Sequence, residues 1–240
     1  MNIALIGYGK MGKIIEEIAL SRNHTIIGKV NSSNHIEDLD FSKIDVAIEF
    51  SIPQLAVKHI EYCVSKNTPV VAGTTAWNDQ LAYVKDIVLK ANGTLLHASN
   101  FSVGVNIFSE INQRLAQLMA PQKNYEVFVE EVHHLQKLDA PSGTATSLAD
   151  DILLNNESLS SWLHQENTEP ITNSNQFGVV SHRKEGVPGT HSITYSSDID
   201  TIEITHTAHS RQGFALGAVL AAEWVYNKKG IFTMKDVIKN

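Results

Sequence analysis

The sequence predicts an α/β protein with a Rossmann-type, doubly wound parallel sheet and a second α+β domain that contains a mixed sheet. Three observations predict this fold. A short apolar run leads directly into a G-x-G-x-x-G motif at residues 7–12 and then into helical spacing. Strand and helix patterns alternate over the first hundred residues, as parallel sheets require. Beyond Phe101, three strand-like segments follow one another without helices between them.

The first hundred residues divide into buried strands separated by helices. Apolar runs of four to six residues are typical of strands covered on both faces. A helix follows the glycine motif, and Pro53 suits the first turn of a second helix that runs to about Ser65. A polar connection covers residues 35–43, and a third helix covers residues 77–91. The predicted strands are residues 2–6, 25–30, 45–50, 69–72 and 94–98.

The remaining chain predicts a different arrangement. Helices are expected at residues 105–119, from near Ser142 to about Leu154, and at residues 214–226. Residues 155–176 are rich in Asn, Ser, Glu and Thr, which favours a long surface loop. Alternating side chains predict a strand at residues 125–132. The grouped strand candidates are residues 177–183, 191–196 and 201–207, which indicate a mixed or antiparallel sheet.

Composition is that of an ordinary globular protein, with 42% hydrophobic and 19% charged residues among 240. The net charge of −7 argues against a general role at nucleic acids or membrane surfaces. No apolar run approaches the ~20 residues of a spanning helix, and the N-terminus lacks a signal-peptide pattern. Cys63, the only cysteine, is expected to be a buried packing residue. These features predict a cytoplasmic protein that binds neither nucleic acid nor a membrane.

The glycine motif predicts a dinucleotide-binding turn. Its first glycine permits the tight turn, the second lets a pyrophosphate approach the backbone, and the third lets helix and strand pack closely. The preceding strand and the following helix are the context that this motif needs. The motif residues are Gly7, Tyr8, Gly9, Lys10, Met11 and Gly12.

The segment from Glu131 to Ala145 carries the most chemistry. It contains two imidazoles, an ammonium group, carboxylates and a Ser-Gly-Thr turn at a predicted helix start. Free N–H groups at Ser142, Gly143 and Thr144 suit a carboxylate ligand. Lys137 adds a positive charge, and a histidine titrates near neutral pH. The segment therefore predicts a site that holds a small acidic molecule and supplies it with a proton.

Together these residues resemble the 4-hydroxy-tetrahydrodipicolinate reductase (dihydrodipicolinate reductase) family of lysine and diaminopimelate biosynthesis. The resemblance implies NAD(P)H-dependent reduction of the cyclic product of dihydrodipicolinate synthase, and a homotetramer. It also implies a dinucleotide-binding domain at residues 1–101 and 212–240, and a substrate-binding and oligomerisation domain at residues 102–211. Four blocks carry it: residues 7–12, 73–75, 100–106 and 133–145, with a weaker block at 183–191.

The resemblance assigns roles to individual residues. His133 would be the proton donor or acceptor, and Lys137 a second proton donor. His134, Gly143 and Thr144 would contact the substrate, and the helix-start argument adds Ser142. Besides the glycine motif, cofactor contacts would fall on Gly73, Thr74, Thr75, Ala98, Ser99, Asn100 and Phe101.

Three departures from the family pattern bear on the cofactor and on the turns. Ala76 stands where the family often has glycine, and Glu185 stands where the Arg-x-Gly element usually has its glycine, with Gly186 following. No carboxylate follows the second strand, so a 2′-phosphate would not be repelled there. Lys29 is the only nearby basic residue that could bind the 2′-phosphate. The sequence therefore predicts use of both cofactors, with a lean to NADPH.

Several alternatives remain at this point. Neighbours on a strand point to opposite faces, so His133 and His134 do not predict a metal site. Glu130 and Glu131 would lie at a strand end, where one could orient an imidazole or both could be exposed. An aspartate-type amino-acid dehydrogenase would also use a carboxylate-binding helix start. A non-catalytic dinucleotide sensor would need neither His133 nor Lys137.

Overall fold

The computed structural model describes residues 1–165, 171 and 173–239. Its strands are β1 (Asn2–Ile6), β2 (Thr25–Val30), β3 (Val46–Glu49), β4 (Val70–Ala72), β5 (Thr94–His97), β6 (Glu126–His133), β7 (Ser161–Gln165), β8 (Gln176–Arg183), β9 (Gly189–Ser196), β10 (Thr201–Ala208) and β11 (Gly230–Phe232). Its α-helices are α1 (Lys10–Ser21), α2 (Pro53–Ser65), α3 (Leu81–Lys90), α4 (Val103–Met119), α5 (Gly143–Asn155), α6 (Gln212–Val225) and α7 (Met234–Ile238).

These elements form two compact units. The first contains residues 1–106 and 212–240, and the second contains residues 107–211. The first unit is built on a six-stranded sheet with the order β2-β1-β3-β4-β5-β11. Every neighbouring pair in it is parallel. The order reverses between β1 and β3, where ligands bind in doubly wound sheets. The predicted parallel sheet is confirmed.

Helices cover both faces of this sheet. Helices α1 and α6 pack on one face around Ile15, Val219 and Ala222. Helices α2 and α3 pack on the other face around Ile60, Val84 and the buried Cys63. Burial raises the pKa of the Cys63 thiol well above its usual range, in keeping with a packing role. Among the described residues, no helix combines the length and the apolar character needed to cross a membrane.

The second unit contains a five-stranded mixed sheet with the order β10-β9-β6-β8-β7. Strands β6, β8 and β7 run parallel, whereas β9 and β10 are antiparallel to their neighbours. Leu148 and Ile152 of α5 pack against Val129, Val179 and other inward side chains of the sheet. The predicted mixed sheet is also confirmed, and the end of β6 brings His133 to the start of β9 and to the turn before α5.

Three details differ from the predictions. Residues 161–165, predicted as loop, form strand β7, which pairs with β8 alone at the sheet edge. Residues 166–170 and 172 of that predicted loop lie outside the described residues. Helix α3 begins at Leu81 because the Trp77 side chain is buried and donates to the carbonyl oxygen of Thr74 at 2.7 Å, and a short 3₁₀ turn precedes the helix. Strand β11 and helix α7 were not predicted.

Candidate active site

The glycine motif forms the turn between β1 and α1. Gly7 has φ +97°, and a Cβ there would lie 2.0 Å from the carbonyl oxygen of Phe50. A Cβ at Gly12 would lie 2.4 Å from the carbonyl oxygen of Gly7. At Gly9, by contrast, a Cβ would meet nothing within 4 Å, and no side chain caps the first turn of α1. The turn therefore offers open space and uncapped N–H groups, which suit a pyrophosphate.

A cavity of about 470 Å³ opens beside this turn. It combines parts of two predicted cofactor blocks, residues 9–11 and 73–75, with the carboxyl end of β3. Its lining residues are Gly9, Lys10, Met11, Phe50, Ser51, Pro53, Gly73, Thr74 and Thr75. The residues present fit a nicotinamide dinucleotide, because the cavity joins an anion-binding turn to an open groove at the switch point of the sheet.

The third predicted cofactor block, residues 98–101, lies at the end of β5. Phe101 is only 2% exposed and packs against Phe50, with ring centroids 5.4 Å apart. The Asn100 side chain accepts a hydrogen bond from the N–H of Ser102 at 2.9 Å, just before α4. Phe101 is thus a core residue that supports one wall of the cavity through Phe50.

A buried carboxylate that sequence reasoning missed lies under the cavity. Glu49 is fully buried, and its Oε1 accepts hydrogen bonds from the Thr74 hydroxyl at 2.9 Å and from the N–H of Ser51 at 3.1 Å. His59 lies 3.6 Å away. Glu49 therefore fixes two residues of the cavity wall. An acidic residue inside an apolar strand pattern was the signal that could have identified it.

Lys29, near the end of β2, is paired. Its Nζ lies 2.6 Å from Glu16 of α1 and 4.6 Å from the centroid of the Tyr8 ring. The Tyr8 hydroxyl also donates to Glu16. The hydrogen bond from Lys29 lowers the pKa of the Glu16 carboxyl, with Tyr8 adding to the effect. The cation predicted to favour a 2′-phosphate thus already has an anionic partner.

His133 ends strand β6 and faces a fully buried carboxylate. Its Nδ1 lies 3.2 Å from Oε2 of Glu131, two residues earlier on the same face of the strand. Oε1 of Glu131 accepts from the N–H of Ser142 at 3.0 Å and from the Ser181 hydroxyl at 2.8 Å. Burial raises the pKa of Glu131, but the nearby His133 and the hydrogen bonds from Ser142 and Ser181 outweigh burial and hold that pKa below its usual range. Of the two readings left open for Glu131, the geometry supports the one in which it orients an imidazole.

A second histidine that sequence reasoning did not single out completes this cluster. His191 of β9 is 5% exposed, and its ring stands edge-on to His133 with centroids 5.1 Å apart. Burial and the neighbouring His133 lower the pKa of His191 to about 4, so its imidazole is neutral at pH 7. Gly189 leaves room for His133, because a Cβ there would lie 3.0 Å from Nε2.

Lys137 follows His133 in the loop before α5. Its Nζ donates to both carboxylate oxygens of Asp139 at 2.8 Å, and this hydrogen bonding lowers the pKa of Asp139. Arg183 of β8 donates to the carbonyl oxygens of Lys137 at 3.4 Å and of Asp139 at 2.6 Å, and lies 3.5 Å from Oε1 of Glu131. Arg183 therefore ties the Lys137 loop to the sheet and to the buried carboxylate.

The predicted carboxylate site lies at the start of α5. Ser142 is the N-cap residue, and its hydroxyl accepts from the N–H of Ala145 at 3.2 Å. Gly143 is exposed, with nothing near its Cβ position, and Thr144 is half-buried. His134 is half-buried just beyond β6, and its carbonyl oxygen accepts from the N–H of Lys137. The structure thus gathers all six predicted catalytic and substrate residues in the second unit.

This cluster could also be considered as a metal site. One ligand atom from each of Glu131, His133 and His191 lies within 4.8 Å of the others. The set differs from the adjacent His133 and His134 that the sequence analysis considered. We assign no metal to it, because the Arg183 guanidinium lies beside Glu131 and would repel a divalent cation.

Comparisons with known proteins agree on one family. The family models described as "Dihydrodipicolinate reductase, N-terminus" and "Dihydrodipicolinate reductase, C-terminus" match residues 1–101 and 104–238. The 4-hydroxy-tetrahydrodipicolinate reductase of Christiangramia forsetii is 52% identical over 240 residues, covering 100% of this chain and 98% of the relative. The corresponding protein of Rickettsia rickettsii is 35% identical over 246 residues, covering 100% and 99%.

Solved structures show the same fold. A dipicolinate-bound dihydrodipicolinate reductase from a Paenisporosarcina species has a TM-score of 0.75 at 22% identity, covering 97% of each chain. An aspartate dehydrogenase from Thermotoga maritima has a TM-score of 0.52 at 13% identity, covering 95% of this chain and 97% of that one. At these identities the structural likenesses establish the fold alone. The matches of both family models and the 52% identity over the whole chain show that this protein belongs to the dihydrodipicolinate reductase family, whose members are oxidoreductases.

Proposed function

We propose that this chain reduces 4-hydroxy-tetrahydrodipicolinate to tetrahydrodipicolinate with NAD(P)H, in lysine and diaminopimelate biosynthesis. One observation carries the proposal beyond family membership. The buried pair of Glu131 and His133 is hydrogen-bonded to the start of α5, so a proton-transfer group and a carboxylate-binding helix start belong to one cluster.

The substrate is a dicarboxylate, and the site supplies two positive features for it. The first turn of α5 offers the exposed backbone of Gly143 and the positive end of the helix dipole. Lys137 supplies a full positive charge from the preceding loop. The dipicolinate in the solved Paenisporosarcina relative, a planar dicarboxylate, supports this choice of ligand class.

The residues of this chain handle the proton. The nicotinamide, when bound, supplies the hydride. Loss of the 4-hydroxyl group of the substrate as water gives a conjugated imine. Its reduction requires a proton close to the carbon that receives the hydride, and a positioned histidine can deliver that proton. His133 has this role in our proposal, with Lys137 as a second donor that also pairs with a substrate carboxylate. His134, Gly143 and Thr144 hold the substrate in place, which converts proton delivery into a step within one complex. Ser142 was also predicted to contact the substrate, but its N–H and hydroxyl are bonded within the protein, so it shapes the binding turn instead.

We infer that both cofactors are used, with a modest lean to NADPH. The glycine turn, the 73–75 segment and residues 98–101 hold the dinucleotide. Lys29 is the cation available to a 2′-phosphate, but the phosphate must compete with Glu16 for it. That competition limits the preference for NADPH without reversing it, because no carboxylate follows β2 at the ribose position.

The oligomeric state, the cellular location and the roles of the two domains stay predictions from the family resemblance. We expect a homotetramer in the cytoplasm, with the dinucleotide held by residues 1–101 and 212–240 and the substrate and oligomer contacts made by residues 102–211. Light scattering coupled to size-exclusion chromatography would measure the oligomeric state, and a mass other than four chains would contradict the prediction.

The decisive experiment is oxidation of NADPH and NADH, followed by nicotinamide absorbance, with freshly made product of dihydrodipicolinate synthase as substrate. Rapid oxidation that depends on that product supports the proposal. His133→Ala and Lys137→Ala should abolish most turnover while leaving cofactor binding intact. Reduced-cofactor binding without oxidation would overturn it in favour of a sensor, and NAD-dependent oxidation of L-aspartate would favour the amino-acid dehydrogenase.

A further inference from the structure

We propose that Glu131 is a positioning residue that couples the proton donor to the substrate's carboxylate site. One carboxylate oxygen lies 3.2 Å from Nδ1 of His133, and the other accepts a hydrogen bond from the N–H of Ser142, the N-cap residue of α5. This inference rests on the proposed reductase function for its kinetic consequences, but the geometry is independent of it.

The Oε1 side of Glu131 is anchored by three residues on two elements, α5 and β8. Ser142 at the start of α5 donates its N–H, and Ser181 of β8 donates its hydroxyl. Arg183, also on β8, lies 3.5 Å away. Ser142 in turn caps α5 through Ala145. A movement of the carboxylate would therefore move the first turn of the helix, where the substrate carboxylate is expected to bind.

The Oε2 side of Glu131 faces Nδ1 of His133 at 3.2 Å. Glu131 is fully buried and has a low pKa, so it is ionised and can only accept hydrogen bonds. An ionised acceptor selects the tautomer in which Nδ1 carries the proton. Nε2 is then the nitrogen left for proton exchange, and the missing side chain of Gly189 opens the space beside it.

The other charged and titratable groups around the pair do not duplicate this role. His191, on β9, is neutral and lies 3.8 Å from Oε2 through its Nε2, which also lies 3.3 Å from the Ser142 hydroxyl. Arg183 faces the opposite oxygen, while Lys137 and His206 act on His191 through longer-range charge effects. Among the described residues, Glu131 is thus the carboxylate that contacts both His133 and the start of α5.

The first test is Glu131→Gln, which keeps the size of the side chain but removes its charge. A general acid raises the reaction rate by about 10²–10⁴-fold. A mispositioned imidazole should therefore lower kcat by at least about tenfold. KM for NADPH should stay unchanged, because the cofactor motif lies in the other unit.

The matched control is Glu130→Gln. Glu130 is the sequence neighbour on the opposite face of β6, and it pairs with His182 at 3.8 Å on the surface. The kcat of Glu130→Gln should stay that of the wild type. Equal losses in the two variants would overturn the proposal, because a general change in strand charge would then explain both.

The second test does not depend on activity. ¹⁵N NMR of the ring of His133, assigned with His133→Asn, reports which nitrogen carries the proton. We expect the Nδ1–H tautomer in the wild type and a mixture in Glu131→Gln. An Nε2–H tautomer in the wild type would overturn the positioning role even if the protein is an active reductase. The expected tautomer in a protein without reductase activity would overturn the proposed function alone.

Ser181→Ala keeps the proposal testable if Glu131→Gln does not fold. It removes one donor to Oε1 and leaves the carboxylate in place. A severalfold fall in kcat with unchanged KM for NADPH would support the proposal. An unchanged kcat would contradict it, because the anchoring of Oε1 would then have no bearing on His133.

Discussion

The ammonium group of Lys137 donates to both carboxylate oxygens of Asp139 at 2.8 Å each. A substrate carboxylate must compete with Asp139 for this cation. Such exposed pairs are worth about 0–1 kcal/mol, so Asp139→Asn should tighten dipicolinate inhibition by up to about fivefold. Asp86→Asn, which breaks the Lys90 pair on α3, is the control. Weaker inhibition by dipicolinate in Asp139→Asn would contradict this prediction. It would mean that Asp139 aligns Lys137 instead of competing with the ligand for it.

Removal of Glu16 should raise the preference for NADPH. In Glu16→Gln, Lys29 loses its anionic partner and becomes available to a 2′-phosphate. The ratio of kcat/KM for NADPH to that for NADH should increase severalfold, and it should fall in Lys29→Ala. Lys43→Ala, which breaks a pair with Asp40, should leave the ratio unchanged. A ratio that is the same in all three variants would remove Lys29 from cofactor selection.

Gly189→Ala tests the space around His133. The new Cβ would lie 3.0 Å from Nε2 and 3.2 Å from Cδ2, so the imidazole must shift. We expect a fall in kcat without a change in cofactor affinity. Gly213→Ala is a suitable control, since its Cβ would make only an ordinary contact, 3.6 Å from the Ser102 hydroxyl. Full activity in Gly189→Ala would show that His133 does not act from its observed position.

Ala76 should be a strained residue. Its φ of 63° lies in the left-handed region, which costs about 1–2 kcal/mol for a side chain with a Cβ. Gly at this position relieves the strain but loses about 0.4–1 kcal/mol through the freedom of the unfolded chain. Ala76→Gly should therefore raise the free energy of unfolding by about 0.5–1 kcal/mol, measured by urea denaturation. Ala91→Gly, at φ −83°, should not be stabilising.

The buried His191 should make the protein less stable in mild acid. Its pKa is about 4 in the folded protein but about 6.5 in the unfolded chain. Between these values the unfolded chain binds a proton that the folded protein does not. The free energy of unfolding should therefore fall as pH drops through this window, by up to about 1.4 kcal/mol per pH unit.

His191→Asn should flatten that dependence between pH 7 and pH 5, as followed by urea denaturation. Some slope should remain, because burial also lowers the pKa values of His97 and His206. His209→Asn, at an exposed position, should keep the full slope. If the free energy of unfolding of His191→Asn fell with pH as steeply as that of the wild type, His191 would not be the group that protonates.

Local signals were sufficient for much of the fold. Strands β1 and β2 and helix α2 have the predicted limits, because apolar runs, turn residues and Pro53 mark them in the sequence. Strand β7 was missed because an edge strand with one neighbour needs little apolar character, and its segment is mostly polar. In this chain the glycine of the Arg-x-Gly element is displaced by one position, with Glu185 in its usual place. The structure explains the shift, because the residue with left-handed backbone after β8 is Gly186.

The site was only partly predictable for a related reason. The alternation in β6 placed Glu131 on the face of Val127 and Val129, but burial of a charge depends on its partners. Those partners, Ser142 and Ser181, are 11 and 50 residues away in the chain. His191 likewise joins His133 through strand pairing between β6 and β9. Contacts of this range leave no periodic signal in one sequence.

Strand β11 has a consequence for how the protein is made. It pairs with β5, so residues 212–240 complete a sheet whose other strands all lie before residue 98. The second unit is continuous in sequence and is fully synthesised before that closing segment. On the ribosome, the first unit would therefore begin to fold before the second unit and finish folding after it. Until residues 230–232 are synthesised, the edge of β5 would be open to pairing with wrong partners. Chaperone demand should concentrate on this unfinished edge.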